Sequence, residues 1–161
     1  MPRWLQIAVV VVLTVVGILL VIFSARGRNT RDFSSLGTVT SANLWVTAND
    51  GSRYGWKISD PKDLSRIVNF VDSQRVNWGT PWYGIAVAFL EVQLFDGQQL
   101  KSSFGVGKNF FETQRNGGFF SKNATPNEIR GFLDSLGLDE ATVREIRNGS
   151  ESVRKNYQGP D

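Results

Sequence analysis

Apolar and polar residues fall into blocks along the chain, and the period of each block predicts an element. The first block, Leu5 to Phe23, has no polar face: 19 residues without a charge, with Gln6 and Thr14 its only polar side chains. A helix of that length reaches roughly 28 Å, close to the ~30 Å hydrocarbon core of a bilayer. The pattern therefore predicts one membrane-spanning helix, with residues 1–25 as an anchor and its short amino-terminal tail. Trp4, Arg26, Arg28 and Arg31 flank the run and are the expected membrane-interface residues. The run is longer than the ~7–15 apolar residues of a cleaved signal peptide, so an uncleaved signal-anchor is expected. Residues 26–37 are polar and basic and predict a juxtamembrane linker.

From residue 38 the pattern changes to short alternating runs, which predict strands. Thr38 to Ala48 is followed by Asn49-Asp50-Gly51, a hairpin signal, and by Arg53 to Ile58, in which Tyr54, Trp56 and Ile58 share one face. Ile85 to Phe95 has apolar residues at every even position and an odd face that turns polar midway, which predicts a central strand. Asp96-Gly97 leads to a returning strand through Leu100, Ser102, Phe104 and Val106, and Asn116-Gly117-Gly118 predicts one more hairpin.

Two segments have a helical period instead. Asp60-Pro61-Lys62-Asp63 starts a helix with Leu64, Ile67, Val68 and Val71 on one face. Thr125-Pro126-Asn127-Glu128 is a capping box, with Ile129, Phe132, Leu133 and Leu136 as the apolar stripe and Gly137 as the stop. Asp139 can cap a further short helix. The expected fold class is thus α+β: a single transmembrane helix, then a domain over residues 38–147 with an antiparallel sheet of about five or six strands. Both amphipathic helices should lie on one face of that sheet. Residues 148–161 have almost no apolar side chains and predict a mobile tail.

Charge alters the picture in one respect. The chain carries a net +3, yet residues 1–31 hold four arginines and no acid, so the remainder is close to neutral. A basic excess confined to the flank of an apolar run suits anionic lipid and not nucleic acid, and nucleic acid is not an expected partner. The arginine count beside the run favours a cytoplasmic domain, whereas a short basic tail before a first apolar run is how exported anchors begin. The extracytoplasmic side, periplasmic or extracellular, is the reading adopted. The expected partners are then the lipid bilayer and a membrane protein.

There is no cysteine and no histidine. Disulfides, thiol nucleophiles and imidazole chemistry are excluded, and no metal or cofactor is expected. Gly105-Val106-Gly107-Lys108 superficially suggests a phosphate loop, but Asn109 follows the lysine and the segment ends a strand without opening a helix. Among the acids, most sit at turns or helix starts; Glu91 and Glu112 alone fall within predicted strands. Such a pair could serve a small envelope hydrolase, but a solvated strand face explains both acids with far fewer assumptions.

Aromatic residues are the surplus: five Trp, eleven Phe and three Tyr. Trp78, Trp82 and Tyr83 sit in a Gly- and Pro-rich stretch, and Phe110-Phe111 and Phe119-Phe120 must divide between two strand faces. Trp78, Trp82, Tyr83, Phe111 and Phe119 are therefore the expected partner-binding set. The function this favours is a membrane-anchored, non-enzymatic interaction module, an accessory or assembly subunit of a larger membrane complex. A carboxylate hydrolase and a ligand-binding sensor are the alternatives.

Overall fold

The computed structural model describes residues 12–18, 30–81 and 88–148. An eight-stranded sheet runs in the order β1-β4-β8-β7-β6-β5-β2-β3, every neighbouring pair antiparallel. Its strands are β1 (Thr30–Arg31), β2 (Ser41–Thr47), β3 (Arg53–Ile58), β4 (Trp78–Gly79), β5 (Leu90–Asp96), β6 (Gln99–Val106), β7 (Phe110–Arg115) and β8 (Gly118–Asn123). Helix α1 is described over residues 12–18, followed by α2 (Pro61–Ser73), α3 (Pro126–Ser135) and α4 (Glu140–Arg147).

Local chemistry explains most of these boundaries. Asn116 and Gly117 both take positive φ, at 51° and 73°, the two-residue turn that matches strand twist and closes β7 onto β8. The Asp60 carboxylate accepts from the Lys62 and Asp63 amides at the start of α2. At α3 the Thr125 hydroxyl accepts the Glu128 amide while the Glu128 carboxylate accepts the Thr125 amide, closing the capping box. The Thr125 N–H holds Glu128 below the usual carboxylate range.

The inner face of the sheet is apolar in register. One row reads Trp56, Leu44, Val92, Phe104, Thr113 and Phe120 across β3, β2, β5, β6, β7 and β8. Leu64, Ile67 and Val71 of α2, Phe132 and Leu133 of α3, and Val143 and Ile146 of α4 join the same core. Phe104 lies at its centre, with ring centroids of Phe111 and Phe132 both 5.0 Å away and Trp78 at 5.9 Å. Edge-to-face and tilted rings at these separations add to the energy of area burial.

The expected fold class needs correction. No helix among the described residues is long and apolar enough to cross a membrane. What is described of the Leu5–Phe23 run is residues 12–18, exposed and helical; the rest lies outside the described residues. The transmembrane, single-pass and signal-anchor readings, and the extracytoplasmic placement built on them, are accordingly withdrawn. The sheet also has eight strands, and α4 packs into the core as a third helix beside α2 and α3.

The predicted linker is structural as well. Within residues 26–37, Thr30–Arg31 pairs with Trp78–Gly79, and Phe33 and Leu36 are buried in the core. The Phe33 amide donates to the Arg75 carbonyl, the Leu36 amide to Asp72 Oδ1, and Arg115 Nη1 to the Ser34 carbonyl. Residues 30–37 thus form a strap over one end of the core. Of the predicted strand Ile85–Phe95, the described part is β5, lying between β6 and β2; the predicted tail, from residue 149 on, lies outside the described residues.

Candidate functional site

Helices α2, α3 and α4 all join the core on the inner face of the sheet, and the outer face differs from it in kind. Two registered rows define it. The first reads Lys57, Asn43, Gln93, Ser103, Gln114 and Phe119. The second crosses from β3 to β4 as Gly55, Trp45, Glu91, Gly105, Glu112, Ser121 and Gly79. Two of the glycines in that row, Gly55 and Gly105, leave space that larger side chains occupy. The Trp45 ring lies over Gly55, where a Cβ would come within 2.5 Å of it. The Arg53 guanidinium sits 5.1 Å from the Trp45 ring and bonds Glu91 Oε2 at 2.8 Å, while Gln93 Nε2 donates to Glu91 Oε1 at 3.1 Å.

Glu91 and Glu112 flank Gly105 directly in register. A Cβ on Gly105 would stand 2.8 Å from the Ala88 methyl and 2.8 Å from both Cγ and Oε1 of Glu112, so the glycine is what lets these groups meet. Glu112 Oε2 is buried with no hydrogen-bond partner. Burial, reinforced by the Glu91 charge and opposed by the Ala88 N–H that donates to the carboxyl, pushes the Glu112 pKa up to about 7. The two carboxyls are therefore inequivalent: Glu91 is held by Arg53 and Gln93, whereas Glu112 is half-buried with Oε2 unpaired and no counter-charge among its perturbing groups. Among the described residues no cluster of three or more acids is placed to hold a metal ion.

This asymmetry gives a pH dependence of stability whose sign follows from linkage. Between about pH 4.5 and 7 the folded chain keeps a proton on Glu112 that the unfolded chain has released. Stability must then fall as pH rises through that window. For a half-buried group the loss is on the order of 1–2 kcal/mol after allowance for solvent screening. Denaturant titrations at pH 5 and pH 8 should show this decline in the wild type, and the Glu112→Gln chain should lack it.

The expected partner-binding residues are scattered. Trp78 is 2% exposed, its Nε1 donating to the Gln74 carbonyl at 2.6 Å, and it packs between Phe33 and Phe104. Phe111 is fully buried beneath α2 and α3. Both are core residues and are corrected as such: β4 pairs Trp78 with Arg31, and strand alternation turns Phe111 inward. Phe119 is partly exposed on the outer face, opposite Gln114. Trp82 and Tyr83 lie outside the described residues. So do Trp4, Arg26 and Arg28 of the expected membrane interface, while Arg31 is exposed in β1 with its guanidinium 5.2 Å from the Phe120 ring.

Sequence reading missed Trp45, Arg53 and the seat at Gly105. Alternation in β2 marked Trp45 as facing away from Leu44 and Val46, but the glycine beneath it belongs to another strand. Comparison with protein-family models, with curated proteins and with solved structures returns no match.

Proposed function

We propose that the chain is a non-enzymatic interaction domain, an accessory or assembly subunit of a larger complex, whose partner docks on the outer face of the sheet. The observation that carries this is the one-sided sheet. Its inner face takes the apolar stripes of α2, α3 and α4, while its outer face keeps Trp45, Phe95 and Phe119 partly exposed and Leu100 45% exposed. Arg53 and Lys57 on the edge strand add charge at the margin. Large rings among polar neighbours are the composition of an interface, where a few anchors supply most of the binding energy. A chain carrying Leu100→Asp and Phe119→Ser should keep its melting temperature within a few degrees and lose the copurifying partner. Retention of that partner at wild-type yield would reject the docking face.

The carboxylate pair supports a second reading, a small hydrolase. Glu112 would hold the proton of a general acid, and Glu91, paired with Arg53, would act as the base. Opposing it, Glu112 Oε2 is buried and closed to solvent. Hydrolysis of model glycosides that disappears in both Glu112→Gln and Glu91→Gln would favour this reading over docking.

A further inference from the structure

We propose that the outer edge of β3 receives an extended acidic segment of the partner as an added antiparallel strand. The backbone sets this up. The Ala48 amide donates to the Ser52 carbonyl, and from that bond the register of β2 on β3 makes Val46–Tyr54, Leu44–Trp56 and Ala42–Ile58 the pairs that exchange ladder bonds. Arg53, Gly55 and Lys57 therefore turn their N–H and C=O groups away from β2, and among the described residues no backbone group bonds them there. β3 is the last strand of the sheet and runs six residues with no proline and no register shift. The opposite edge, β1, has two residues, too few to template a strand.

The side chains define which strand fits. Arg53 and Lys57 are exposed on either side of Gly55. Arg53 holds Glu91, and Lys57 has no ion pair among the described residues. The acids nearest in sequence are engaged beyond the strand ends, Asp50 accepting from Ser52 and Asp60 capping α2. Basic side chains on an edge ordinarily keep other strands off. They repel a second copy of β3, which antiparallel about Gly55 would set Arg53 of each copy opposite Lys57 of the other. An incoming strand with acids at those two positions turns both repulsions into attractions, so the same charges select it. Between them, the residue opposite Gly55 meets the Trp45 ring that lies over the glycine, which favours an apolar side chain. Its two neighbours fall on the inner face beside half-buried Tyr54 and Trp56, which again favours apolar residues. The fitting pattern is an acid, three apolar residues and a second acid.

A strand added here rests on the interaction reading, because it belongs to the partner, and specifies how that partner enters. The two fail separately. Leu100 on β6 and Phe119 on β8 lie strands away from β3. The chain carrying Leu100→Asp and Phe119→Ser should therefore bind an edge peptide as the wild type does. Peptide binding that survives while that chain also retains its copurifying partner would reject the docking face and leave the edge standing.

A fluorescein-labelled peptide, Thr-Glu-Val-Leu-Val-Glu-Thr, titrated with the full chain and read by anisotropy, tests the edge. Saturable binding is expected. It should weaken about tenfold when lysine replaces both glutamates of the peptide, and about threefold when the chain carries Lys57→Glu. Methylating the amide nitrogen of the peptide's central leucine removes a ladder donor and should abolish binding. Methylating the valine before it, whose N–H points away from β3, should leave affinity within about threefold. These peptide variants leave the folded chain untouched. No saturable binding up to about 1 mM, undiminished binding of the lysine peptide, or equal effects of the two methylations would each overturn the added strand.

Discussion

Replacing Phe111 by alanine should lower the unfolding free energy by about 3–5 kcal/mol, whereas Phe119→Ala should cost less than about 1 kcal/mol. Both residues come from Phe-Phe pairs in neighbouring strands of one hairpin, so sequence context is nearly shared. Position is not. Phe111 has no exposed surface, and its ring lies 5.0 Å from Phe104, 6.0 Å from Phe70 and 6.2 Å from Phe132. Truncation leaves a cavity where β6, β7, α2 and α3 converge, and four elements cannot all collapse into it. Phe119 loses only part of a ring already open to solvent. Guanidinium titrations of the two variants measure the difference directly. Equal losses would mean that β7 does not face the helices as described.

The second large effect belongs to the strap. Phe33→Ala should cost about 2–4 kcal/mol by the same chemistry. Phe33 is 8% exposed; its ring is 5.1 Å from Phe120 and 6.2 Å from Trp78, and the Arg115 guanidinium lies 5.3 Å from its centroid. Asp72 accepts the Leu36 amide and the Ser35 hydroxyl, and Asp32 accepts the Asn77 amide. Losing the ring leaves Arg115, itself 8% exposed, without the face that covers it. A passive linker would lose nothing, so an unchanged denaturation midpoint would contradict the strap.

These two residues show where sequence reading succeeds and where it stops. Turns and caps are local, so Asn116-Gly117 and Thr125-Pro126-Asn127-Glu128 disclose themselves within four residues. Alternation separates Phe111 from Phe110 but says nothing about which face is the core. Phe33 and Leu36 stand three apart in a polar stretch with no period, and their burial depends on Asp72, Arg75 and Arg115, distant in the chain. Trp78 follows the same rule: Gly79 and Pro81 mark a loop, yet two residues of β1 convert it into a strand that turns the ring inward. Glu112 reads as a solvated strand acid because its alternation is correct. Only the register of β5, β6 and β7 sets Glu91 and Gly105 beside it, with the Ala88 methyl also over Gly105. Local apolarity alone also overreached, since the Leu5–Phe23 run predicts a span that the described helices do not supply.

The central claim is that the outer face of the sheet, and not the helical face, meets the partner. Photoreactive phenylalanine analogues placed singly at Phe119 on β8 and at Asn69, exposed on α2, test it most directly. The claim predicts that irradiation of the purified complex joins the chain to its partner from position 119 and leaves position 69 uncoupled. Coupling from position 69 with none from position 119 would contradict it.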